Sequence, residues 1–120
     1  MLLNLSNHPF KNWLPEQQEM ALREWGRVED LPFPPIPPEA ESSQIEILAQ
    51  EYLKKISEIK PAAVHLMGEM TFTCSLVCLL QREGIPCLAS TTRRKAIEEG
   101  NKKISIFEFV RFRYYPVICS

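Results

Sequence analysis

The sequence predicts an α/β domain: a Rossmann-like parallel sheet flanked by helices, with a β-hairpin at its C-terminal end. Three observations carry this. The apolar runs at 1–5, 62–67 and 85–89 are nearly continuous, as strands covered on both faces must be. Segments with helical spacing lie between the strands, and such alternation implies a parallel sheet joined by right-handed crossovers. The segment 103–115, KISIFEFVRFRYY, instead alternates aromatic with charged residues, the two-residue period of a half-covered strand. At 120 residues the chain holds one core, so 1–120 reads as a single domain.

Met1 to Leu5 is a first strand, stopped by the turn-forming Ser6-Asn7-His8-Pro9. Lys11 to Trp25 is a helix with Pro15 near its start and Gly26 at its C-cap. Arg27 to Phe33 is a short strand near a sheet edge, since Pro32 cannot donate to a ladder. Residues 31–43, mostly PFPPIPPEAESS, read as a stiff proline-rich surface connector in preference to a ligand for a proline-binding module. Ser42 or Ser43 then caps a helix whose Ile45, Leu48, Ala49, Tyr52, Leu53, Ile56 and Ile59 form one apolar stripe, ended by Lys60-Pro61. Ala62 to Met67 is the third strand. Met70 to Glu83 is a widely covered helix stopped at Gly84, and Ile85 to Ser90 is the fourth strand. That strand ends in the polar cluster Ser90-Thr91-Thr92-Arg93-Arg94. Residues 94–115 form the hairpin, turning at Glu99-Gly100-Asn101, and 116–120 are a tail.

The formal net charge is −1, which does not suggest a DNA partner, but its distribution is uneven. Thr92 to Arg113 holds Arg93, Arg94, Lys95, Lys102, Lys103, Arg111 and Arg113, a basic surface that suits a small anionic ligand or simply faces water. The start MLLNLSNHPF lacks a basic region and a long apolar run, so no signal peptide is expected; nor is a membrane span, and the chain reads as soluble and cytoplasmic. The four cysteines Cys74, Cys78, Cys87 and Cys119 show no metal-ligand spacing and read as reduced, mostly buried thiols.

In open α/β sheets ligands bind beyond the carboxyl ends of the strands, where strand order reverses. Three polar segments fall there: Ser6-Asn7-His8, Gly68-Glu69-Met70-Thr71 (with Thr73 beyond it), and Ser90-Thr91-Thr92-Arg93-Arg94. Hydroxyls, an amide, a helix start and two arginines suit a phosphate, and Gly68 would let the ligand approach the backbone closely. There is no GxGxxG and no GxxxxGK[ST], which argues against a dinucleotide cofactor or a P-loop. Plainer structural roles compete at the same positions. Thr71 suits a helix cap, Glu69 suits a helix dipole, and His65, inside a strand, reads as a satisfied core histidine. His8 is the better candidate for proton transfer. Cys74 and Cys78 read as packing, and Arg111 and Arg113 share a sheet face that could meet a nucleotide or a second subunit.

The combination NLSNHP, VHLMGEMTFT, LASTTRR and FEFVRFRYY, in this order, resembles the small stand-alone CRISPR-associated proteins with a CARF-like (CRISPR-associated Rossmann) fold. These accompany type III CRISPR systems, and some are ring nucleases that cut cyclic oligoadenylate messengers. The resemblance implies a homodimer holding a cyclic tetra-adenylate or related ring across its two-fold axis, with no cofactor and no metal. Ser6 and Asn7 would contact ribose or phosphate; Gly68, Glu69, Met70 and Thr71 phosphodiester and adenine; Thr91, Thr92 and Arg93 phosphate oxygens. Cleavage would be attack by a ribose 2′-OH on its own 3′-phosphate. Arg93 or Arg94 would stabilise charge, Thr71 and Thr92 orient the phosphate, and His8 or Glu69 act as base or acid. Two alternatives stand beside this: a sensor or sponge that binds the same ring intact, and a structural interaction subunit using the connector and the aromatic hairpin.

Overall fold

In a computed structural model that describes residues 1–118, the apolar run at the N-terminus becomes β1 (Leu2–Ser6), each of its residues buried. A short 3-10 turn, Phe10–Asn12, leads to α1 (Pro15–Trp25), which starts on Pro15 and closes on Gly26. β2 (Val28–Asp30), α2 (Ser42–Ile59), β3 (Ala63–Met67), α3 (Met70–Arg82), β4 (Cys87–Glu99) and β5 (Lys102–Tyr114) follow. The sheet order is β2-β1-β3-β4-β5, with β1 to β4 parallel and β5 antiparallel to β4. β2 is thus an edge strand. The order reverses between β1 and β3, which sets the switch point of a doubly wound sheet there.

Alternate residues of each strand feed two cores. Leu3, Leu5, Val64, Leu66 and Cys87 face α2 and α3, where they meet Ile45, Ala49, Ile56, Phe72, Leu76 and Leu80. Leu2, Ala63 and Leu88 face the other side, against Trp13, Ala21 and Phe112. The proline-rich connector belongs to the first core. Its Phe33 meets Phe72 edge-on at 5.2 Å, and Tyr52 meets Phe72 the same way at 5.4 Å. The helix after it is capped by Glu41 rather than by Ser42 or Ser43. The Glu41 carboxylate accepts from the backbone of Gln44, whose side chain in turn accepts the Glu41 N–H at 2.8 Å.

Three expectations are corrected. The cluster Ser90 to Arg94 is not a loop at a strand end: β4 runs unbroken to Glu99, paired with β5 throughout, and its ladder irregularity between Thr91 and Thr92 leaves Val110 as the extra residue on β5. Polar residues exposed on both faces of a two-stranded arm carry no hydrophobic period, so sequence pattern reads them as loop. The turn at Gly100-Asn101 has two residues with Gly100 at φ 63°, as a hairpin whose first central residue needs positive φ requires. The second correction concerns Cys78, which is disulfide-bonded, whereas Cys74 and Cys87 are free. Spacing along one helix says only that Cys74 and Cys78 do not bridge each other, not what else a thiol on that helix meets. Third, Gly68 has a packing reason: a Cβ there would collide with the ring of Phe33, so the close neighbour of its backbone is this aromatic from the connector. Of the expected tail, 119–120 lie outside the described residues; Gln81 holds Pro116 O (2.9 Å) and the Ile118 N–H (3.0 Å), tying 116–118 to α3.

Candidate functional site

A cavity of about 420 Å³ opens at the carboxyl ends of β1 and β3 and against the first half of β4, on the α1 side of the sheet. Its walls bring together three segments distant in sequence. Ser6, Asn7 and His8 come from the end of β1, Met67 and Gly68 from the end of β3, and Ser90 and Thr92 from β4. Trp13, Leu14 and Gln17 close it from the start of α1, and His65 also lines it. The volume lies in the range of small-molecule sites.

A hydrogen-bonded network underlies the cavity. Asn4 is buried in the middle of β1, where it pairs in register with His65 of β3. Its Nδ2 donates to the His8 carbonyl (2.9 Å) and to Asp30 Oδ1 (2.8 Å), and Asp30 also accepts the Phe10 N–H (3.0 Å). Two acceptors on the nitrogen side fix the orientation of the amide, so Asn4 Oδ1 is the atom that faces Ser6 Oγ (2.8 Å) and His65 Nδ1 (3.0 Å). An amide oxygen only accepts. His65 therefore carries its proton on Nδ1, and a neutral ring then leaves Nε2 as a bare acceptor. Burial, and secondarily the nearby His8, lower the His65 pKa to about 4, which keeps the ring neutral. Its Nε2 is buried and has no hydrogen-bond partner among the described residues. The Trp13 ring lies 4.8 Å from the His65 ring and Phe112 lies 5.9 Å away, while Trp13 Nε1 donates to the His8 carbonyl at 3.0 Å.

The expected site residues divide. Ser6, Asn7, His8, Gly68, Ser90 and Thr92 share the cavity. Glu69 and Thr71 do not line it. The Glu69 carboxylate accepts from the Thr71 N–H (2.9 Å), the Phe72 N–H (2.9 Å) and the Thr71 hydroxyl, capping α3. The Thr71 hydroxyl, followed by the backbone of Phe72 and Thr71, lowers the Glu69 pKa. Met70 is exposed, and with Thr71 it lines a separate cavity of about 690 Å³ beside Ser42, Ile45, Glu46 and Cys74. Thr73 is on the buried face of α3, its hydroxyl without a hydrogen-bond partner among the described residues. Thr91 Oγ1 donates to the Arg111 carbonyl (3.0 Å), Arg94 donates to Ser105 Oγ (2.9 Å), and Arg93 stands exposed opposite Glu108. The two arginines sit on the hairpin arm, one and two residues past the cavity wall at Thr92.

Sequence reasoning passed over Asn4, Trp13, Gln17 and Asp30, and it placed His65 in the core without seeing its free nitrogen. A signal was present: Asn4 and His65 are each flanked on both sides by apolar residues within their strands. Two buried polar groups on adjacent parallel strands have reason to answer each other.

Fold and cavity together define a doubly wound α/β protein with a polar pocket at its topological switch point. Residues 1–113 match the model described as the Uncharacterized protein MJ1673 family, and the chain belongs to that family. No curated protein and no solved structure matches it.

Proposed function

We propose that the protein binds a cyclic oligoadenylate at this cavity and cleaves it by attack of a ribose 2′-OH on the adjoining phosphate, ending a type III CRISPR signal. The observation that carries the reading is the convergence of Ser6, Asn7, His8, Gly68, Ser90 and Thr92 on one cavity, with the basic arm rising from its rim. Hydroxyls and an amide offer donors to ribose and phosphate oxygens, and in-line transesterification asks for alignment and charge stabilisation. At about 420 Å³ the cavity would take a nucleotide-sized unit rather than a whole ring. A ring would therefore be shared between two copies, in keeping with the homodimer the resemblance implies. Arg93 and Arg94 would supply cation to a phosphate beyond the wall. Glu69 and Thr71, bonded to each other, keep a capping role instead.

One observation favours a second reading, a sponge that holds the ring intact: no lysine or arginine lines the cavity itself. Incubation with radiolabelled cyclic tetra-adenylate in EDTA separates the two. Linear products ending in a 2′,3′-cyclic phosphate support cleavage, whereas a shifted complex that returns intact ligand supports the sponge. Neither binding nor cleavage at micromolar protein overturns both and leaves an interaction subunit.

A further inference from the structure

We propose that His65 is the catalytic base of this reaction, taking the proton of the attacking 2′-hydroxyl at Nε2, with Asn4 and Asp30 as the positioning residues that hold it in the required tautomer. The inference rests on the cleavage reading and deepens it. His65 is 2% exposed, lines the cavity, and has one ring nitrogen anchored and the other without a partner among the described residues. A buried acceptor without a donor weakens a fold, and it calls for a donor that arrives with the ligand. The anchor runs inward as a relay: Asp30 Oδ1 takes the Asn4 amide hydrogen, and Asn4 Oδ1 takes the His65 Nδ1 hydrogen. A carboxylate that orients an imidazole through a neutral group also favours the imidazolium formed during proton transfer. Trp13 and Phe112 fix the plane of the ring.

The step balances without water or a co-reactant. His65 Nε2 accepts the 2′-hydroxyl proton as that oxygen bonds to phosphorus. The bond from phosphorus to the 5′-oxygen breaks, and the imidazolium returns its proton to the departing 5′-oxygen. The products are a 2′,3′-cyclic phosphate and a 5′-hydroxyl.

The titratable groups facing His65 are His8, from the turn after β1, and Asp30, acting from β2 through Asn4. Trp13 and Phe112 present uncharged rings. In the free protein Nε2 therefore stays bare down to about pH 4, where the acid limb of kcat/KM is expected.

The test combines spectroscopy of the wild type with kinetics of variants, using cyclic tetra-adenylate as probe. Nitrogen-15 NMR of the unliganded protein is expected to show His65 protonated on Nδ1 and bare on Nε2; the opposite tautomer overturns the proposal. His65→Asn keeps a donor toward Asn4 Oδ1 but has nothing at Nε2. It is expected to bind the ring while losing about 100- to 10,000-fold in kcat. Asp30→Asn keeps both of its hydrogen bonds and removes the charge, so the His65 imidazole should titrate at lower pH and kcat should fall. Full activity in a folded His65→Asn variant overturns this role and leaves ring cleavage standing. Absence of cleavage by the wild type overturns the cleavage reading and this role with it. If His65→Asn does not fold, an unaltered His65 titration and rate in Asp30→Asn overturn the relay.

Discussion

His65 couples the site to stability through its proton. The unfolded imidazole binds a proton near pH 6.5, whereas the folded one binds it only near pH 4, burial being the first cause. Between these values the unfolded chain holds more protons, so stability rises with pH across the window. The contribution is complete above pH 6.5 and is lost as pH falls through about 4; the gap corresponds to about 3 kcal/mol. Urea denaturation at pH 7 and pH 4.5 should show the wild type weakening by an amount of that order. The His65→Asn variant should weaken much less, and an equal loss in both would refute the assignment. Gly68 poses a different question at the same scale, because its missing Cβ makes room for Phe33. Gly68→Ala is expected to destabilise by about 1–3 kcal/mol through overpacking. Trimming Phe33 to Ala in the same chain should make the second substitution nearly harmless, a non-additivity that a double-mutant cycle measures.

At the level of elements, α3 begins on a carboxylate that does three jobs at once for its first turn. Glu69→Ala should cost about 1 kcal/mol, the size of a lost N-cap, and should leave ring binding intact. Loss of ligand binding without loss of stability would instead return Glu69 to the site. This separation was partly legible in the sequence. A strand, a turn and a helix start are plain in VHLMGEMTFT, but sequence alone assigns the cap to Thr71, and to Glu69 a helix-dipole role beside that of an acid or base. Sequence could not choose, because a cap and a ligand contact use the same chemistry at the same place. The parallel strands and the helices were legible for a stronger reason. Burial on both faces makes β1, β3 and the start of β4 apolar but for Asn4, Ser6 and His65, and α2 carries its stripe openly. The outer half of β4 was illegible for the converse reason: it is mostly exposed among the described residues, so no apolar period marks it. The relay of Asp30, Asn4 and His65 joins three strands, and register, which brings Asn4 beside His65, is a property of the sheet and not of any one segment.

The whole molecule is longer than its core requires. A domain of 120 residues is expected near a radius of gyration of about 14 Å, but this one has 16.0 Å and extends 51 Å along its longest axis. The excess is the β4–β5 arm. Ile104, Ile106, Phe107 and Val110 are exposed on it, and β5 is a sheet edge of 13 residues. Long exposed edges pair with other chains unless something covers them. In register, Arg93 lies opposite Glu108, Glu98 opposite Lys103 and Glu99 opposite Lys102, which leaves Arg94, Lys95, Arg111 and Arg113 without acidic counterparts on the arm. An apolar edge with surplus positive charge fits a second copy that brings both a strand and a bound polyanion. The proposed homodimer thus predicts a joint outcome. Replacing residues 93–108 by a short turn removes most of the arm but keeps Ser90, Thr92 and the pairing of Leu88 with Tyr114. Both cores lie below the cut, so the truncated chain should fold. Light scattering should find a dimer for the full chain and a monomer for the truncated one. Affinity for cyclic tetra-adenylate should fall with the arm, and its dependence on salt should flatten, since the proposed phosphate contacts Arg93 and Arg94 leave with it. A truncated chain that stays dimeric with an unchanged salt slope would place both the interface and the phosphate contacts elsewhere in the fold.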